Sequence, residues 1–204
     1  MSIALSPAQT AQSAGPLTAE HHQQIASAHS RAAKIRSAAR FATFNGWVTG
    51  VFALLSVPFA PFSFAGFLVT VGLAIVTYNE FRGKKMLLAF DPQGAKLLGW
   101  NQMGFLGLIT VYSLWMIFEG FTGAGPLAKE IQQYPQLQSA LGSAAELKQL
   151  YQMVVLAIYS AVIALSVVFQ GFNAFYYFTR QILVRDYLRE TPGWIVEMQR
   201  AIPK

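Results

Sequence analysis

The amino-acid sequence predicts an all-α membrane protein, with four transmembrane helices in two hairpins and basic amphipathic cytoplasmic segments. Three observations carry this. Residues 149 to 179 form thirty-one consecutive positions without a charge, between Lys148 and Arg180. Such a run crosses a bilayer as a helix, because a helix satisfies its own backbone polar groups in hydrocarbon. Residues 41 to 79 are likewise uncharged but are broken by Pro58 and Pro61, which splits them into two helices. Finally, the lysines and arginines alternate across the runs. Thirteen of the fifteen lie in 31–40, 82–96 and 180–204, and only Lys129 and Lys148 fall between spans three and four. The positive-inside rule then places both termini in the cytoplasm.

Composition agrees. The chain is 54% hydrophobic and 12% charged, against about 25% charged for a soluble domain. One membrane domain fits 204 residues. The net charge of +6 does not imply nucleic acid, since the basic residues are interleaved with Leu and Phe beside the spans. The bilayer and its anionic headgroups are the expected partners. The absence of cysteine excludes disulfides, thiolate metal sites and thiol nucleophiles.

In chain order, residues 1–17 are rich in Ser, Ala, Gln and Pro and are expected as a disordered tail. Thr18 is a helix cap, and 18–40 reads as an amphipathic cytoplasmic helix with Ile25, Ala28, Ala32, Ile35 and Ala39 on one stripe. That stripe suits either an anionic membrane surface or another helix packed against its small alanines. His21, His22 and His29 are expected as surface residues, because too few ligands surround them for a metal.

The membrane domain, 41–179, is expected to hold spans at about 41–57, 62–79, 99–118 and 151–178. Gly46 and Gly50 on the first span, and Gly104 and Gly107 on the third, are spaced to let helices approach closely. Between spans two and three, Arg82, Lys84, Lys85 and Lys96 alternate with apolar residues. With Arg180 and Arg185 of the basic cytoplasmic tail, 180–204, they are candidate contacts for lipid headgroups. Asp91-Pro92 reads as a cap followed by a first-turn proline. The loop 120–148 is expected to be partly helical on the outer surface, through Leu137, Leu141, Ala144 and Leu147. Tyr78-Asn-Glu-Phe-Arg82 with Asp91-Pro92, and Tyr176-Tyr-Phe-Thr-Arg180 with Thr191-Pro192, invite a reading as two parallel repeats. Two membrane exits under the same physics produce much of the same pattern.

No span carries a histidine, a Ser/His pair, metal-spaced carboxylates or a phosphate-cradling loop, so no enzyme and no cofactor is expected. Glu80, Asp91, Asp186, Glu190 and Glu197 are scattered and read mostly as solvated partners of nearby arginines. The remaining polar set is Asn45, Asn101, Gln102, Glu119, Gln170 and Asn173. These serve either as inter-helix contacts or as the lining of a polar path. Glu119, about 27 Å along the helix from Asn101, is expected as an interfacial anchor rather than an ion site. Two functions follow. One is a non-catalytic protein acting by association, as scaffold, assembly factor or small subunit of a membrane complex. The other is an oligomeric channel or transporter for an ion or small solute.

Overall fold

The computed structural model describes residues 17–123 and 144–201. Most of the N-terminal tail and of the segment 120–148, including Lys129, Leu137 and Leu141, lie outside the described residues. The described chain is helical: α1 (Ala19–Ser56), a 3-10 turn (Val57–Phe62), α2 (Phe64–Leu88), α3 (Pro92–Thr122), α4 (Ala144–Glu190) and α5 (Gly193–Ala201). Four of these helices, α1 to α4, are long and apolar enough to cross a membrane.

Helix ends follow local chemistry. The Thr18 hydroxyl accepts from His21 N–H at 3.3 Å, and His21 Nδ1 accepts from Thr18 N–H at 3.2 Å. His21 thus closes a capping box, and its ring meets Trp194 edge-on at 5.6 Å. His22 and His29 are exposed. Ser63 caps α2 by accepting from Gly66 N–H at 2.9 Å. Asp91 caps α3 through Gln93 N–H at 2.8 Å, with Pro92 in the first turn. At the end of α2, Asp91 N–H donates to Met86 C=O at 2.9 Å and Phe90 N–H to Leu87 C=O at 3.0 Å, a Schellman closure. That closure needs a left-handed residue, and Phe90 supplies it at φ 57 although it is not glycine. Phe90 stays because its ring is buried and stacks on Tyr187 at 4.7 Å.

The four long helices pack antiparallel in the pairs α1–α2, α2–α3, α3–α4 and α1–α4. Gly46 lies beside Glu80 and Phe81 and Gly50 beside Thr77; Gly83 faces Leu98 and Gly72 faces Leu108; Gly99 faces Phe178 and Gly120 faces Val155. Between α1 and α4, Phe41 touches Tyr176 and Tyr177, and Arg31 pairs with Glu190 at 2.9 Å. Among the described residues, a Cβ at Gly104 or Gly107 would meet nothing within 4 Å, so neither makes a close helix approach there. The close approaches of α3 are made at Gly94, Gly99 and Gly120 instead.

The molecule has two zones. At one end, Ala28, Ala32, Ile35 and Ala39 of α1 are buried with Leu87, Phe90, Leu98, Val184, Tyr187 and Ile195 in a continuous apolar core. The 18–40 stripe therefore packs on other helices, and α1 runs unbroken through residue 40 into the first span. The 180–204 segment is likewise built in as far as residue 201. Residues 180–190 extend α4, and α5 is held by Arg36 Nη2 and the Tyr187 hydroxyl donating to Gln199 Oε1 and by Arg200 Nε donating to Ala89 C=O. In the other zone large apolar side chains face outward: Trp47, Phe52, Leu54, Phe118, Phe169, Phe172 and, at 85% exposure, Phe62. At about 1.5 Å per residue, α1 (38 residues) and α4 (47 residues) span roughly 57 and 70 Å. Both are longer than the thickness of a bilayer, about 40–45 Å. An apolar surface of this extent does not face water.

Candidate functional site

The chemistry concentrates where the two zones meet. On α2, Leu73, Val76, Glu80, Gly83 and Leu87 are buried at alternating three- and four-residue steps. That stripe faces the bundle interior and carries one carboxylate inward. Glu80 is 0% exposed. From α3, Asn101 Nδ2 donates to Glu80 Oε1 at 2.9 Å and Gln102 Nε2 donates to the same oxygen at 2.7 Å. Asn101 also donates to Val76 C=O at 3.0 Å and accepts from Asn79 Nδ2 at 3.2 Å. From α4, the buried Tyr177 hydroxyl stands beside the carboxyl and accepts from Asn45 Nδ2 of α1 at 3.5 Å. Glu80 Oε2 has no hydrogen bond of acceptable geometry among the described residues. One step deeper along α1, the Thr77 hydroxyl donates to Thr49 Oγ1 at 3.2 Å.

A single carboxyl thus joins α2 to α3, and Tyr177 beside it brings α4 and, through Asn45, α1 to the same centre. The carboxyl's role as a solvated partner of arginine is overturned by burial. The reason is register: Arg82 and Lys85, two and five residues on, point out to the exposed face, whereas Glu80 repeats the phase of Val76 and Gly83. Asp186 and Glu190 do pair with bases, with Arg189 at 3.2 and 3.9 Å.

Of the expected polar set, Asn101 and Gln102 meet at Glu80, and Asn45 reaches the same centre through Tyr177. Gln170 lies deeper in the bundle, with its Oε1 buried and unpartnered among the described residues. Asn173 belongs elsewhere, on the wall of a groove between α1 and α4. Glu119 is exposed, at the far end of the bundle, on a cavity of about 620 Å³ shared with Ser56, Phe59, Ser63 and Trp115. Of the basic residues expected at headgroups, Arg82, Lys85, Lys96 and Arg185 are exposed, and Lys84 and Arg180 are half-buried. No group of three or more metal-ligating side chains occurs among the described residues.

Sequence reasoning missed Glu80 and Tyr177. The signal for Glu80 was present: the spacing 73, 76, 80, 83, 87 continues through the charged stretch without a phase break. Cutting the helix where charge begins hid it. No protein-family model, curated protein or solved structure matches the chain.

Proposed function

We propose that this is an integral membrane protein that works by association, as a scaffold, an assembly factor or a small subunit of a membrane complex. Its four spans form two hairpins with both termini and the packed helical end on the cytoplasmic side. The observation that carries this reading is the closed state of the polar centre. Glu80, Asn101 and Gln102 are buried and point at each other rather than into a cavity, so the most distinctive chemistry of the chain is spent on joining its helices. What remains free for function is surface: open small-residue positions at Gly104 and Gly107, exposed aromatic side chains, and the basic residues near the α2–α3 turn. Open glycines on a span suit a helix of a second chain.

Purification in mild detergent tests the proposal. The expected result is elution as an assembly, with itself or with another membrane protein, that Gly104→Leu and Gly107→Leu weaken. Elution of the wild type as a lone chain under conditions that preserve other membrane complexes would count against it. Reporter fusions at residues 90 and 204 are expected to read cytoplasmic and one at residue 130 outside.

The channel or transporter reading keeps one specific support. Glu80 Oε2, Gln170 Oε1 and Ser113 Oγ are each buried without a hydrogen-bond partner among the described residues, at successive depths in the bundle. Unpaired polar atoms inside a membrane bundle are the places where water or an ion would be held.

A further inference from the structure

We propose that the groove between α1 and α4 is a binding site for one anionic phospholipid of the surrounding bilayer. The groove is open along its outer side, has a volume of about 600 Å³ and is lined by Ser37, Phe41, Phe172, Asn173, Tyr176 and Arg180, among others. That volume falls within the range of about 300–1,000 Å³ typical of ligand sites.

Its chemistry is ordered along the helix axis. Arg180 and Ser37 lie toward the packed helical end, and Phe41 and Phe172 lie toward the apolar zone. From Phe172 to Arg180 is roughly 12 Å along α4, so the groove passes from headgroup depth into acyl depth. Thr179, also on its wall, adds a hydroxyl at the polar end.

Charge selects the headgroup. Arg180 is the sole charged residue on the described wall of this groove, and no acid lines it. Its guanidinium rests over the Tyr176 ring at 4.3 Å, which fixes its direction without neutralising it. Arg180 makes no ion pair among the described residues, and its Nε is buried without a hydrogen-bond partner. A guanidinium held in place, uncompensated and flanked by hydroxyls matches a phosphodiester, which accepts its N–H groups in a fork. Basic pockets between spans recognise anionic headgroups in this way. The acyl chain then covers Phe172, which is exposed at 70%. This inference rests on the membrane reading and is independent of whether the protein acts by association.

The test is native mass spectrometry of the full chain, delipidated in detergent and titrated with phosphatidylglycerol or with phosphatidylcholine of the same acyl chains. Saturable uptake of one phosphatidylglycerol is expected, at least tenfold tighter than phosphatidylcholine. Arg180→Gln should weaken it about tenfold, and Ser37→Glu, on an exposed helix face where folding is not at risk, should do the same by repulsion. Arg185→Gln, exposed and off the groove, should leave it unchanged. Equal binding of the two lipids, wild-type affinity in the Ser37→Glu variant, or displacement of the lipid by millimolar inorganic phosphate would each overturn the proposal. The last outcome would mark a site for soluble anions instead.

Discussion

Replacing Gly94 with leucine is expected to abolish recovery of folded protein from detergent. Gly94 sits in the first turn of α3, where the chain has just reversed after α2. A Cβ there would stand 2.7 Å from Met86 Cβ, 2.9 Å from Leu87 N and 3.0 Å from Gly83 O. Two of those atoms are backbone, held by the Schellman closure of α2 and by Gly94 N–H donating to Asp91 C=O at 3.0 Å. They have no rotamer through which to yield. Ordinary overpacking costs about 1–3 kcal/mol, and blocked backbone places this substitution at or above the upper end. Fluorescence-detected size exclusion reads the outcome as loss of the monodisperse peak. Gly104→Leu is the matched control, since open space surrounds Gly104. Its fold should survive, whatever becomes of its assembly.

The second large effect is expected at Glu80. Glu80→Leu removes the acceptor of two buried amides, Asn101 Nδ2 and Gln102 Nε2. A buried donor left unsatisfied costs roughly 1–3 kcal/mol. Asn101 keeps its bond to Val76 C=O and falls at the low end, whereas Gln102 has no other bond of this kind among the described residues. Glu80→Gln keeps a carbonyl oxygen for both amides and should lie within about 1 kcal/mol of wild type. Thermal unfolding in detergent therefore ranks Leu well below Gln, with Gln close to Glu. If Gln is as damaging as Leu, the negative charge itself is required. A bound cation or proton would then explain the centre, and the transport reading would gain over association.

The four long apolar helices were legible in the sequence because they depend on long uncharged runs, and these need no knowledge of contacts. The caps at Thr18 and Asp91 were legible for a similar reason: each is a local hydrogen bond between a side chain and a backbone N–H within three residues. What was not legible required knowing which face of each helix turns inward at the packed end of the bundle. The alanines 28, 32 and 39 fit a lipid surface or a helix equally well until α2, α3, α4 and α5 are seen to close over them. Gly46 and Gly104 have the same local signature of a small residue repeated four or three residues on. One meets Phe81 and Glu80, and the other meets nothing within 4 Å among the described residues. Spacing states that a face is smooth, not what lies against it. Glu80 reads as solvated because a charge marks the end of an apolar run, whereas the buried stripe of α2 continues past it for two further turns to Leu87. Glu119 drew attention as an isolated acid and stands exposed at the far end of α3.

A polar interior that joins helices and is closed to solute would keep cysteines placed within it out of reach of water-soluble reagents. The chain has no native cysteine, so each introduced thiol is unique. Thr49 and Ser113 are both buried, at 7% and 0% exposure, at two different depths between Glu80 and the far end of the bundle, Thr49 about one turn and Ser113 about three turns from the Glu80 level. Ser113→Cys and Thr49→Cys change little volume, so the fold should persist. In intact membranes, a membrane-impermeant, water-soluble thiosulfonate reagent should modify neither thiol from either side, while both react fully once the protein is denatured. Rapid modification of both thiols in the native membrane would show a water-filled passage through the bundle and contradict the closed, associative account.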